Sequence, residues 1–294
     1  MIWAVVPFTV TLYGADLSVG LIYVMAVGAI GEMGIIMAGW GSNNKFALLG
    51  AFRAVAQMVS YEIPMVIALL IPVMMAGSMS LGGITESQAV WNILIAPLAA
   101  LIFFITSVAE VGRAPFDLIE AESELVAGFN IEYSGLKFGF FFVGDFLHAF
   151  TIAMLFTVFF LGGWRGPFVD QVPFLGAVYF FIKTSLVYFV NILMRAALPR
   201  FRIDQMMDFN WKYLTPLSLA VLIATALADK LMLGLSNWVR IPVFLVLNGL
   251  IFLAASAILN RRVINRPRVE VASRNRPLAR PEAAAQPETN GGVS

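Results

Sequence analysis

Phe138-Gly-Phe-Phe-Phe-Val-Gly-Asp-Phe-Leu-His-Ala-Phe-Thr-Ile-Ala-Met-Leu-Phe-Thr-Val-Phe-Phe-Leu-Gly162 is 25 residues with one carboxylate, Asp145, one imidazole, His148, and otherwise only apolar, glycine or threonine side chains. A run this long crosses a bilayer core, which needs about 20 apolar residues in a helix. Further runs of this kind lie at Leu17–Gly39, Phe46–Ala76, Val90–Val108, Phe174–Leu193, Leu214–Ala228 and Trp238–Leu259. The pattern predicts an all-α, polytopic transmembrane bundle of about seven full spans plus a truncated first span. Pro64 and Pro72 predict a kink or break in the second run, which membrane helices tolerate when neighbours satisfy the freed backbone.

Composition agrees. Of the 294 residues 60% are hydrophobic and 13% charged, against about 25% charged in soluble proteins. The chain has no cysteine, which excludes disulfides and thiolate-held metal or iron–sulfur centres, and its one histidine provides no His-based metal cluster. Any redox centre is expected in a partner. The formal net charge of +1 comes from Lys and Arg in short loops beside the spans, which does not suit nucleic acid. Gly28-Ala-Ile-Gly31 lies within an apolar run and suits close helix packing, not nucleotide binding.

Met1–Val6 reaches Pro7 after too few residues to span and shows no signal-peptide features. The expectation is either a short interfacial segment or a chain that begins within a helix. Residues 1–264 read as a transmembrane helical domain and 265–294 as a disordered basic and polar tail. Placing 41–45 inside puts Lys45, Arg53, Arg113, Lys137, Arg195, Arg200, Arg202, Lys212 and the basic tail on or near that side, against Arg165, Lys230 and Arg240 opposite. By the positive-inside rule the C-terminus faces the cytoplasm of a multi-pass inner (plasma) membrane protein.

Between two apolar runs lies Glu110-Val-Gly-Arg-Ala-Pro-Phe-Asp-Leu-Ile-Glu-Ala-Glu-Ser-Glu-Leu125, followed by Glu132-Tyr133. Ionisable groups near bilayer depth mark an ion path, a substrate site or a paired network. Glu120, Glu122 and Glu124 recur at every second position, so no helix face holds all three, and crowded carboxylates share protons instead of ionising together. A solvated turn is the bland alternative; Pro115, Phe116, Leu118, Leu125 and Phe129 argue for a loop folded against protein.

Glu32, Glu62, Asp145, Lys183 and Arg195 lie inside the runs, with Arg53 and His148 nearer their ends. Each alone suits a buried interhelical ion pair; together they are the material of a proton-conducting path. Arg53 and Glu62 are nine positions apart, about 13 Å along a helix, too far to pair. Asp145 and His148, at i and i+3, share a face. Arg195, Arg200, Arg202 and Asp204 gather at the inner surface, either reaching toward headgroups or pairing with the acidic loop or a soluble partner.

Three segments resemble the signatures of the H subunit of respiratory complex I, the bacterial counterpart of mitochondrial NADH dehydrogenase subunit 1. They are Gly39-Trp-Gly-Ser-Asn-Asn-Lys through Gln57 to Glu62; Arg113-Ala-Pro-Phe-Asp117 with Glu120, Glu122, Glu124 and Glu132-Tyr-Ser-Gly135; and Arg195 with Leu198-Pro-Arg-Phe-Arg-Ile-Asp-Gln205 and Trp211-Lys212. The likeness runs from about Gly14 to Ala226. It implies a subunit at the heel of the membrane arm of a proton-translocating NADH:quinone oxidoreductase. Quinone would be the substrate, and iron–sulfur clusters and FMN would sit in partner subunits, with no cofactor held here by covalent bond or metal ligand. Soluble quinone-site and iron–sulfur subunits, small neighbouring membrane subunits and lipids would be its partners.

The resemblance implies that Glu110, Arg113, Asp117, Glu120, Glu122, Glu124 and Glu132 line the quinone chamber. Glu62, Asp145 and Lys183 would continue a proton path, and Arg53, Arg195, Arg200, Arg202 and Asp204 would brace the loop. Members of the family begin with a further transmembrane helix and an amphipathic surface helix, neither of which precedes Met1. Asp145 stands where glutamate is usual, Glu32 where an uncharged residue is usual, and the run from Trp238 and the basic tail go beyond the usual end. The alternative is a membrane anchor of a related ferredoxin-driven or hydrogenase complex whose charges serve assembly.

Overall fold

The computed structural model describes residues 2–113, 115–117, 128–169, 171–232 and 237–264, side chains of 237–239 and 258–264 excepted. Ten α-helices are described: α1 (Gly20–Gly41), α2 (Lys45–Ala76), α3 (Leu81–Ser87), α4 (Asn92–Ile95), α5 (Pro97–Glu110), α6 (Gly135–Phe160), α7 (Pro173–Ala197), α8 (Ile203–Phe209), α9 (Thr215–Leu231) and α10 (Asn237–Ile264). Asn210–Leu214 is a π-helical turn that joins α8 to α9, and Ile2–Ala4 and Gly128–Asn130 are 3-10 turns. The described residues contain no strand. The chain divides into two compact units, residues 1–255 and 256–294; of the second, only the last turns of α10 are described.

Six helical stretches are long and apolar enough to cross a membrane: Gly20–Gly41, Lys45–Ala76, Gly135–Phe160, Pro173–Ala197, Ile203–Leu231 and Arg240–Ala257. The span expected over Val90–Val108 is divided instead. Ala96, at φ −125° and ψ 65°, separates the single turn of α4 from the 14-residue α5. The residue before a proline is pushed out of the helical region, so Pro97 starts a new helix. At about 1.5 Å per residue α5 rises only about 21 Å. In α2, by contrast, both Pro64 and Pro72 lie inside one continuous helix, so of the expected kink or break the break does not occur. The segment expected as a truncated first span is one 3-10 turn and a loop, held where Ala4 O accepts from the N–H groups of Gly14 and Ala15.

Helix α2 is the centre of the bundle, packed on α1, α5, α9 and the Gly128–Asn130 turn. Small residues allow this. A Cβ on Gly39 would come within 2.4 Å of Ala51 Cβ, and one on Gly50 within 2.9 Å of the Gly128 backbone. With little apolar driving force between helices in lipid, such close backbone approach sustains association. The α1–α2 hairpin turns on Asn43, at φ 49°, and Asn44, whose Oδ1 accepts from Phe46 N–H at 3.0 Å. Large apolar side chains such as Ile30, Met33, Phe181, Leu186 and Phe189 point outward, as expected of surfaces that meet lipid or other subunits.

Candidate functional site

Both ends of the acidic loop are pinned to α2 and its hairpin with α1. At the start, buried Gln57 donates through Nε2 to Ala109 O at 2.6 Å and to Phe116 O at 2.8 Å. Phe116 packs on the ring of Tyr61, 5.6 Å between centroids, and on Phe201 at 5.8 Å. Phe201 N–H donates to Pro115 O at 3.0 Å, so the 198–204 loop meets the acidic loop through backbone and rings. The third signature then docks on the first. Tyr61, fully buried, donates its hydroxyl to Met206 O at 3.0 Å, and Asn210 Nδ2 donates to Ser60 O at 2.6 Å. At the far end of the loop Tyr133 donates to Ala38 O and Asn44 Nδ2 donates to Glu132 Oε1 at 3.0 Å.

Arg113 is buried with its guanidinium 5.0 Å from the Phe146 ring and 5.9 Å from that of Tyr188, an aromatic setting that suits a planar cation. Three residues before it Glu110 ends α5 and faces a cavity of about 30 Å³ between α1, α2, α5 and α6. Glu32, Glu62 and His148 line the same cavity, and His148 Nε2 stands 3.5 Å from Glu110 Oε1. Glu110 Oε2 is buried and makes no hydrogen bond among the described residues. The rest of the wall is almost wholly apolar, so charge placed here gains little from solvent. A space of this size accepts a water or two, each needing about 10–15 Å³.

The expected site residues therefore separate. Glu62 and Glu110 meet in the cavity, and Arg113 is buried against Phe146 and Tyr188 outside its lining. Asp117 and Arg53 are half-buried, Arg53 one turn before Gln57 on α2. Glu132 is at the α1–α2 hairpin. Asp145 lies on the exposed face of α6, one turn before His148. Arg195, Arg200, Arg202 and Asp204 are exposed. Glu120, Glu122 and Glu124 lie outside the described residues.

Lys183 does not line the cavity. Its ammonium donates to Leu161 O at 2.8 Å, Gly163 O at 3.1 Å and Arg165 O at 2.7 Å, and sits 5.1 Å from the Trp91 ring. Its three protons thus satisfy carbonyls just past the C-terminus of α6, where a cation is also favoured by the helix dipole. That end is about 18 Å of helical rise beyond His148. Gln57, Tyr61 and Asn210, given no role from sequence, hold the loops together. Gln57 and Tyr61 stood within the first signature, which was the available sign.

Comparison with known proteins is decisive about kinship. A model of the family described as NADH dehydrogenase matches residues 1–226. The NADH-quinone oxidoreductase H subunit of Geobacillus sp. (strain WCH70) is 49% identical over 233 residues, 79% of this chain and 69% of the relative. The chain belongs to the family of NADH-quinone oxidoreductase H subunits. Within that family, the H subunit from Geobacillus kaustophilus (strain HTA426) is 51% identical over 228 residues, 77% of this chain and 68% of the relative. The H subunit from Dehalococcoides mccartyi (strain CBDB1) is 47% identical over 226 residues, 77% of this chain and 63% of the relative. All three loop anchors described above, at Gln57, Tyr61 and Asn210, fall inside the part of the chain that the NADH dehydrogenase family model matches.

Proposed function

We propose that this chain forms the quinone chamber and the start of the proton-coupling carboxylate path in a proton-translocating NADH:quinone oxidoreductase. The observation that supports this most is the joining of two features. Phe116 and Phe201 bring the two loops together ring against ring, and Glu110, at the end of α5, opens into a cavity shared with Glu62, Glu32 and His148. A quinone reduced beside these loops takes up two electrons and two protons to become the quinol. Its proton demand is felt by the nearest carboxylates, whose ionisation states are coupled because they share one small, largely apolar cavity. Arg113 would hold the polar head, and Glu120, Glu122 and Glu124 would extend the acidic funnel.

In this reading the electrons come from iron–sulfur and flavin centres of partner subunits, and the exposed Arg195, Arg200, Arg202 and Asp204 face a soluble partner on the cytoplasmic side, where the C-terminus also lies. The exposure of those charges equally suits an anchor that only docks a ferredoxin-driven or hydrogenase module. Purifying the assembled complex through a C-terminal tag and assaying NADH-driven quinone reduction separates the two. Activity blocked by a chamber-binding inhibitor is expected. A complex that takes electrons only from ferredoxin, or evolves hydrogen, would overturn the reading.

A further inference from the structure

Glu62 and Glu110 suffice for the path proposed above, yet the same cavity holds two more ionisable side chains. His148, the one histidine of the chain, approaches Glu110 from α6, with Nε2 3.5 Å from Oε1. Glu32 faces them from α1 and Glu62 from α2. Asp145, one turn before His148 on α6, stands on the exposed face of that helix. One base is thus set among three acids from three other helices.

An imidazole does something there that another carboxylate could not. It is neutral when it accepts a proton and positive once it has one, whereas a carboxylate goes from negative to neutral. When the O–H bond of a protonated Glu110 breaks and an N–H bond forms at His148 Nε2, a neutral pair becomes an ion pair with no change in net charge. The ionised Glu110 and the His148 cation act on the Glu32 and Glu62 carboxyl groups with opposite signs, so the transfer is coupled to their protonation. A separation of 3.5 Å is closed by a small side-chain rotation or by one water, for which the cavity has room.

Resting on the proposed proton path, we infer that His148 is the proton-exchange partner of Glu110 and that Glu32 is the acceptor side of the same relay, so that this chain runs a histidine–carboxylate branch through the α1–α2–α5–α6 cavity. At one end of the cavity Trp3 Nε1 donates to Thr151 Oγ1 at 2.7 Å, and Thr151, like Ile2, belongs to its lining.

The test uses the assembled complex in sealed vesicles carrying His148→Gln, Glu32→Gln or, as control, Glu62→Gln. Quinone reduction and proton translocation are followed between about pH 5 and about pH 8, the interval in which an imidazole ordinarily changes charge. Wild type is expected to show an inflection in protons moved per quinone reduced. His148→Gln is expected to lose it, and Glu32→Gln to shift it, with the amount of assembled complex unchanged. A structural role alone would lower turnover without altering the pH profile. Profiles identical to wild type in His148→Gln and Glu32→Gln, beside a Glu62→Gln complex that has lost pumping, would overturn the branch and leave the path. A fully pumping Glu62→Gln complex would overturn the path itself. If His148→Gln fails to assemble, Glu32→Gln decides alone.

Discussion

Replacing Glu110 by glutamine is expected to lower coupled quinone reduction about a hundredfold, the lower end of what a positioned proton-transfer group supplies, while the complex assembles normally. Glutamine has the same shape and can still hydrogen-bond His148 Nε2 across the 3.5 Å gap. It cannot take up or release a proton at the buried oxygen that faces the cavity. Packing is thus preserved and only titration removed. The check is NADH-driven quinone reduction with simultaneous proton translocation in vesicles, alongside the quantity of complex recovered. Wild-type pumping in this variant would mean that the cavity between α1, α2, α5 and α6 is a packing feature and that protons travel elsewhere.

Gln57→Glu is expected to be nearly as damaging for a different reason. The Gln57 amide is 1% exposed and gives both protons of Nε2 to backbone carbonyls, those of Ala109 and Phe116. A carboxylate would aim an oxygen at two oxygens, and a neutral carboxylic acid could restore only one of the two bonds. Leaving a buried carbonyl unmet costs about 1–3 kcal/mol, and burying the charge costs more. The start of the acidic loop should come away from α2, taking with it the Phe116 contact to Tyr61 and Phe201. Faster proteolytic cleavage at Arg113 and loss of quinone reductase activity are the expected readouts. Wild-type cleavage and activity would show that the loop is held by other contacts.

Much of this was legible in the chain. Length, apolar runs and the sparse charges predict a membrane helix bundle, and the three signature segments predict which loops belong together. Apolar content alone could not show the break at Ala96, because the run Val90–Val108 is hydrophobic on both sides of Pro97 and the interruption is a matter of one residue's backbone. Nor could it foresee that Pro64 and Pro72 would be absorbed into an unbroken α2, which depends on the helices packed around them. The acids and bases of the spans looked equivalent in sequence. Helix rotation sorts them: Glu32, Glu62 and His148 turn inward to Glu110, Asp145 one turn away turns outward, and Lys183 is drawn to the carbonyls at the end of α6. Sequence spacing fixes angles within one helix and says nothing of which face the next helix covers. The loop anchors escaped for a related reason, since Gln57, Tyr61 and Asn210 all reach backbone carbonyls, and a carbonyl has no sequence signature.

The central claim, that quinone is reduced against the loops of this chain, is tested most directly with a photoreactive quinone. The assembled complex is illuminated with the probe during turnover, and labelled peptides are mapped by mass spectrometry, with and without excess unlabelled quinone. Label on peptides containing Arg113–Asp117 or Phe201, displaced by the competing quinone, is the expected result. An active complex in which label falls only on other subunits, or lands on these peptides without being displaced, would contradict it.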